Sequence, residues 1–218
     1  MGQIVSDSFN RADSNTLGAN WIGLSSDGIH TRMPEIVSNQ CANGSQNLLD
    51  SYGVYTGAAW TGGNDQYAEC TPIACQNSNS VGVGVRMPTS SLGAMTGYFA
   101  EALAVGSSAT HQLTKRVAGT TTSLGTWVGT IASTDVLRVE ANGTTINFKV
   151  NGTTQITATD NAIASGNPGV ICQEDSAAGQ EILDNWAAGD FSVAGAGLFM
   201  PANLVTGAGG PFFPNPVT

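Results

Sequence analysis

Hydrophobic and polar positions alternate along much of this chain, in short runs broken by Gly, Asn, Ser and Thr. A period of two marks strands that bury one face. Ser80-Val81-Gly82-Val83-Gly84-Val85-Arg86-Met87 is the plainest case. Val81, Val83 and Val85 are predicted to face a core, with the glycines and Arg86 opposite. Glycine on that second, open face lets something approach the backbone closely, or simply leaves a groove. Between Asp135 and Asp160 the pattern predicts a three-stranded meander. Its strands are Val136–Ala141, Thr145–Val150 and Thr153–Thr159, separated by Asn142-Gly143 and Asn151-Gly152. Asn-Gly between alternating runs is a strong hairpin signal, because a type I′ turn needs positive φ at both central residues. Leu137, Val139, Ile146, Phe148 and Val150 are the expected core side chains. Asn43, Asn142 and Asn151 also match glycosylation sequons, but turn chemistry suffices to explain them.

Further strands are predicted at Gln3–Phe9, Asn20–Leu24, Gln66–Ala74, Tyr98–Ala104, His111–Val117, Gly169–Gln173 and Glu181–Trp186. That makes about a dozen, with no long helical period and no fixed repeat. The expected class is all-β: an antiparallel two-sheet β-sandwich spanning residues 1–190.

Composition narrows the function. The chain has 218 residues, of which 11% are charged, with 7 Lys+Arg against 16 Asp+Glu and a net charge of −9. No basic stripe exists to displace counterions from phosphates, so no nucleic-acid partner is expected. No apolar run is long enough to span a bilayer, and no membrane partner is expected. Met1-Gly2-Gln3-Ile4-Val5-Ser6-Asp7 has neither a basic nor an apolar leader region, so no secretory signal is expected. Cys41, Cys70, Cys75 and Cys172 are too scattered for a stapled mini-protein and are expected chiefly as free, half-buried thiols. With only His30 and His111 beside them, no metal and no cofactor are expected.

Residues 191–218 differ from the rest. This segment contains no Asp, Glu, Lys or Arg, yet carries Phe191, Phe199, Met200, Leu204, Phe212 and Phe213 among four prolines and five glycines. Disordered tails are usually polar and charged. An apolar one is expected to dock, either on its own sandwich or on a neighbouring subunit. Fully extended it would reach roughly 90 Å. The assembly arm is therefore assigned to Phe199, Met200, Leu204, Phe212 and Phe213.

Several pieces resemble a known family in their order. Asp7-Ser8-Phe9-Asn10-Arg11-Ala12-Asp13 with Leu17-Gly18-Ala19-Asn20-Trp21 forms the opening. Asn64-Asp65-Gln66-Tyr67-Ala68-Glu69, Val85-Arg86 and Gly97-Tyr98 form the middle. Asp135–Gly143, Val150–Thr153, Ser165–Val170 and Leu183-Asp184-Asn185-Trp186 form the close. Together, over residues 4–190, they resemble concanavalin A-like lectin/glucanase jelly rolls of the laminin-G-like type. That resemblance implies a jelly roll, and the family serves lectins, glycosidases, adhesion modules and phage surface proteins alike. Some relatives hold calcium between sheet edges, where Asp7 and Asp184 would sit. Without a dense oxygen-ligand loop, these carboxylates are instead expected to cap turns or pair with Arg11.

Glucanases of this superfamily line up carboxylates at alternate strand positions. No two acidic residues here stand at i and i+2. Asp65 and Glu69 would lie about 13 Å apart on an ideal strand, beyond the roughly 5–9.5 Å that glycosidases use. There is no Gly-x-Ser-x-Gly elbow and no phosphate loop. The sequence reading is therefore non-enzymatic. It expects a structural protein of a virion surface, a phage capsid decoration protein or tail appendage, that contacts neighbouring subunits through the arm. The alternative is a secreted or surface carbohydrate-binding module, with Trp60, Tyr67, Arg86 and Tyr98 as aromatic platform and polar anchor. Against that set, Trp60 and Tyr98 could cover core edges, and Arg86 could pair with Glu69 or Glu101.

Overall fold

The structure is a computed structural model that describes residues 2–24, 33–43, 51–76, 79–90, 95–173 and 181–191. Among these residues there are fifteen strands and no helix. They are β1 (Gly2–Asp7), β2 (Trp21–Leu24), β3 (Glu35–Val37), β4 (Gln40–Ala42), β5 (Ser51–Tyr55), β6 (Gln66–Ala74), β7 (Ser80–Met87) and β8 (Gly97–Ala102). There follow β9 (Ser108–Val117), β10 (Thr120–Thr130), β11 (Leu137–Asn142), β12 (Thr145–Val150), β13 (Thr153–Thr159), β14 (Asn167–Gln173) and β15 (Ile182–Asp190).

Every pairing is antiparallel. One sheet runs β13-β12-β11-β6-β15-β4-β3, and β1 joins it by pairing with the second half of β15. The other runs β10-β9-β8-β7-β14-β5-β2. We call them sheet A and sheet B. Their inner faces bury Val81, Val83, Val85, Tyr98, Ala100, Leu113 and Val170 from sheet B against Ala68, Cys70, Leu137, Val139, Ile146, Phe148 and Leu183 from sheet A. The alternation in β7 and in the meander therefore points inward as expected. Where the two chain ends pair, Trp21 packs edge-on to Trp186 at 4.7 Å, Tyr55 stacks on Trp186 at 5.3 Å, and Phe9 lies 6.0 Å from Trp21. Each such ring removes roughly 150–250 Å² from water.

The turn at Asn151-Gly152 has φ of 49° and 77°, as a type I′ hairpin requires. The first hairpin is shifted by one. Asn142 pairs with Thr145, so Gly143 and Thr144 are the loop, with Gly143 at φ 56°. Four strands fall outside the sequence expectation. β3 and β4 have three residues each around Ser38-Asn39, β5 holds a central glycine, and β10 is rich in threonine. His111, expected at the start of a strand, lies inside β9 and is fully buried. The four cysteines are free thiols, buried rather than half-buried. Of the apolar arm, Phe191 alone is described. Its N–H donates to the Asp65 carbonyl at 2.9 Å, and its ring tilts against Tyr67 at 6.0 Å. Phe199, Met200, Leu204, Phe212 and Phe213 lie outside the described residues.

Candidate functional site

The four residues chosen as a glycan platform do not come together on one open face. Tyr98 sits in β8 on the inner face of sheet B and is fully buried. Its hydroxyl donates to Asp160 Oδ1 at 2.6 Å and accepts the Ile163 N–H at 3.1 Å. Burial, with the Asp160 hydrogen bond second, pushes its pKa up to about 12. Asp160 is held below the usual carboxylate range although burial works the other way, because Lys115 and Tyr98 donate to it. Arg86 is 3% exposed, at φ 55°, near the end of β7. It donates to the carbonyls of Asn64, Ile163 and Gly143 at 2.8–2.9 Å and to Asp65 at 3.2 Å. The positive φ takes it off the strand alternation, so it pairs with neither Glu69 nor Glu101. Tyr67 is buried on the outer face of sheet A, with the Arg138 guanidinium 4.1 Å over its ring. Only Trp60, in the β5–β6 connection, keeps a half-open ring. Arg86 and Tyr98 thus lock loops to the sandwich, because every sugar-binding atom they could offer already has a protein partner.

The carboxylates considered for hydrolysis are likewise engaged. Glu69 accepts both Nε and Nη2 of Arg138, at 2.8 and 2.5 Å. Asp65 accepts from Arg86 and from the Gly143 N–H. Asp7 accepts Arg11 at 2.6 and 3.0 Å, caps the Phe9 N–H at 2.8 Å and accepts Trp21 Nε1 at 3.0 Å. It fastens the first turn to the chain ends, as the pairing with Arg11 expected.

Sequence reasoning missed a buried network on the outer face of sheet B. Glu101 of β8 accepts Ser80 Oγ at 2.8 Å, Arg116 Nη2 at 3.1 Å and the Thr114 hydroxyl. Arg116 of β9 also donates to Gln173 Oε1 at 2.8 Å and to the Tyr52 hydroxyl, and lies over the rings of Tyr52 and Phe99. Beside it Leu24, Tyr52, Val54, Met87, Met95, Phe99 and Ile171 form a second apolar cluster. Period-two reasoning assigns this face to solvent, and the one local sign against it is Phe99, which stands between the inward Tyr98 and Ala100 of β8. Among the described residues, Glu101 is the one carboxylate it holds, and both of its oxygens accept hydrogen bonds from within the network.

An open site exists on the other side of the molecule. A depression of about 320 Å³ is lined by Ser8, Asn10, Ser38, Asn39, Gln40, Asp184 and Asn185. Three backbone irregularities bring these together. The chain turns sharply after β1 at Phe9 (φ 52°), the β3–β4 turn places Ser38 and Asn39 at φ 52° and 64°, and β15 bulges at Asn185 (φ 50°). Asp13 Oδ1 accepts the Ser38 N–H at 2.8 Å and fixes that turn. Ser8, Asn10, Ser38, Asn39 and Asn185 are exposed, and Gln40 and Asp184 are half-buried. The lining offers hydroxyls, carboxamides and a single carboxylate, without one cation. A calcium ion takes six to eight oxygens, usually several carboxylates among them. With one carboxylate here, and no group of three His, Cys, Asp or Glu among the described residues poised around a metal, the lining does not fit that ion.

No protein-family model matches the chain, and no curated protein matches it. Solved structures do. SCLam, a non-specific endo-β-1,3(4)-glucanase from family GH16, is similar over 86% of this chain and 90% of its own, with TM-score 0.55 and 10% identity. A putative β-glucanase from Mycobacterium abscessus is similar over 86% and 100%, with TM-score 0.52 and 9% identity. The β-glucanase of Bacillus licheniformis is similar over 87% and 98%, with TM-score 0.50 and 12% identity. The fold is thus a concanavalin A-like jelly-roll β-sandwich. The non-enzymatic expectation is corrected by the same finding, since these structural neighbours are glucanases. None of the three neighbours lends support to the virion reading.

Proposed function

We propose that this chain recognises carbohydrate, and that the contact site is the depression formed by Ser8, Asn10, Ser38, Asn39, Gln40, Asp184 and Asn185. The observation that carries this reading is the lining itself. It is a concave patch of neutral hydrogen-bonding groups with one acceptor carboxylate, on a β-sandwich whose structural neighbours are glucanases. Sugar hydroxyls are donors and acceptors at once. They need carboxamides, which offer both roles on one side chain, and a carboxylate that accepts two hydroxyls. The volume lies at the lower end of the range for small-ligand sites, roughly 300–1,000 Å³, so the depression suits one or two sugar units of a longer polymer.

The test is binding to a panel of soluble and insoluble polysaccharides, β-1,3- and β-1,3(4)-glucans first, with reducing ends measured on the same samples. Asn39→Gly removes a carboxamide while keeping the left-handed turn, and Asp184→Asn removes the charge. Either variant is expected to weaken binding tenfold or more. No binding to any polysaccharide would overturn the reading. So would a loss confined to Trp60→Ala, which would move the site to the β5–β6 loop.

A further inference from the structure

We propose that two copies of this chain pair edge to edge through β10, antiparallel about a two-fold axis at Val128, so that sheet B runs on into its partner. Edge strands present a row of unpaired N–H and C=O groups, and folded proteins blunt them with short strands, charge or proline. The opposite edges here are short, with four residues in β2 and three in β3. β10 is different. It has eleven residues without one charge or proline, and it pairs with β9 alone.

The register shows which backbone groups are free. The turn at Ala118-Gly119 (φ 49° and 83°) joins Val117 to Thr120, which therefore exchange both backbone hydrogen bonds. The alternation that follows is broken by one extra residue between Ser123 and Gly125. Beyond that bulge it turns the N–H and C=O of Thr126, Val128 and Thr130 away from β9. Among the described residues, no backbone bond reaches these groups from any other element. Their side chains share the outer face of sheet B, and all three are exposed. Val128, 69% exposed, is the most exposed large apolar side chain among the described residues.

The stretch Thr126-Trp127-Val128-Gly129-Thr130 is its own antiparallel complement. Centred on Val128, the pairing sets Val128 against Val128 of the second copy, and Thr126 against the second copy's Thr130. Each outward pair then exchanges both backbone hydrogen bonds. The valines cover one another, and threonines opposite one another are favourable cross-strand neighbours. On the inner face Trp127 meets a glycine rather than a second ring. Charge also favours this edge for a second copy. A chain of net charge −9 repels its own kind, but β10 and the neighbouring edge strand β13 bring no charge into the contact. The cations nearest in β9, Lys115 and Arg116, are already paired with Asp160 and Glu101. Five paired residues span only about 17 Å, well short of a standard interface of roughly 1,600 Å². The dimer is therefore weak, and added salt strengthens it by screening the like charges.

Sedimentation equilibrium of the full chain, from about 10 μM to about 1 mM (the range of weak association), tests this. The expected mass rises from 22.2 kDa toward twice that value, and rises further at higher salt. Val128→Lys, at an exposed position, sets two ammonium groups face to face and is expected to abolish the rise. Val128→Cys, oxidised in a glutathione buffer while folded, is expected to give a disulfide-linked dimer, because directly opposed Cα atoms about 5.5 Å apart suit that bond. Thr126→Cys, about 13 Å from its own counterpart in this register, is expected to stay unlinked. A monomer at every concentration would overturn the proposal and leave the edge to a different strand. So would a mass that rises equally in Val128→Lys, or equal linking by the two cysteine variants.

Discussion

Glu101 and Arg116 meet at 3.1 Å on the outer face of sheet B, and the carboxylate is fully buried. Arg116 crosses the rings of Phe99 and Tyr52 to reach it. A buried pair of this kind is weak evidence for net stability, because desolvating both ions offsets their attraction. Removing one partner is a different matter, since the other charge stays behind. Arg116→Met is expected to cost about 3–5 kcal/mol. The double variant Arg116→Met/Glu101→Gln is expected to recover part of that loss, since the carboxamide oxygen accepts one of the Ser80 and Thr114 hydroxyls and its NH2 donates to the other. Urea midpoints of the two variants check this. A double variant no more stable than Arg116→Met would show that the charge pairing is not what matters here.

Arg86 joins three separate stretches of chain through carbonyls of Asn64, Gly143 and Ile163. Arg86→Ala leaves those acceptors without the cation and is expected to destabilise by roughly 3 kcal/mol or more. Arg86→Lys is expected to fall between, because a single ammonium cannot reproduce the planar fork. At temperatures where the variants stay folded, their affinity for polysaccharide should match the parent. A selective loss of binding with unchanged thermal stability would return Arg86 to the glycan site.

His111 gives the fold a pH dependence. Its Nδ1 accepts the Leu103 N–H at 3.3 Å, so Nε2 carries the proton and donates to the Gly129 carbonyl at 3.1 Å. Burial lowers its pKa from the ordinary 6.5. The unfolded chain therefore binds more protons than the native one below about pH 6.5, and stability falls as pH falls from there through the depressed native pKa. Asp160, also depressed, adds a second loss in the acid range below its ordinary 3.8. Denaturation between pH 5 and 7.5 (approximate limits around the histidine's ordinary value) should show the first slope in the parent, and a flatter one in His111→Gln. An equal slope in both would remove His111 as its source.

Much of the sandwich was legible because single-face burial leaves a period-two trace. Val81, Val83 and Val85 alternate with glycine, and Leu137, Val139, Ile146 and Phe148 alternate with polar residues around glycine-bearing turns. β10 left no such trace. It lies at the edge of sheet B, pairs with β9 alone, and exposes Thr120, Thr121 and Thr122. The chemistry was harder to read than the fold. Arg86 and Tyr98 match the residue types of a sugar site, but residue type says nothing about whether a side chain's donors are already used. Ser38, Asn39 and Asn185 came together through left-handed backbone at a turn and a bulge. Ser38 and Asn39 have no glycine beside them to announce the turn, so the depression had no local signature.

The glycines of β7 and β14 permit a sharper test of what lies against sheet B. A Cβ built on Gly82 would sit 2.0 Å from the Ala100 carbonyl oxygen, and one on Gly169 would sit 2.2 Å from that of Gly53. Both obstacles are backbone of a paired strand, so neither can move without opening the sheet. A Cβ on Gly84 meets Met87 Sδ and Phe99 Cε1, each at 2.7 Å, and these are side chains that can shift. Gly63 has open space around it and an ordinary φ. Ala at Gly82 or Gly169 is therefore expected to cost about 3 kcal/mol, the upper end for overpacking, and Ala at Gly84 nearer 1 kcal/mol. Gly63→Ala should be neutral, or stabilise by less than about 1 kcal/mol through the unfolded chain. Thermal and urea unfolding of the four variants give the ranking directly. If Gly82→Ala and Gly63→Ala unfold together, the close strand approach inferred for β7 and β8 is wrong, and the alternating glycines serve some other purpose.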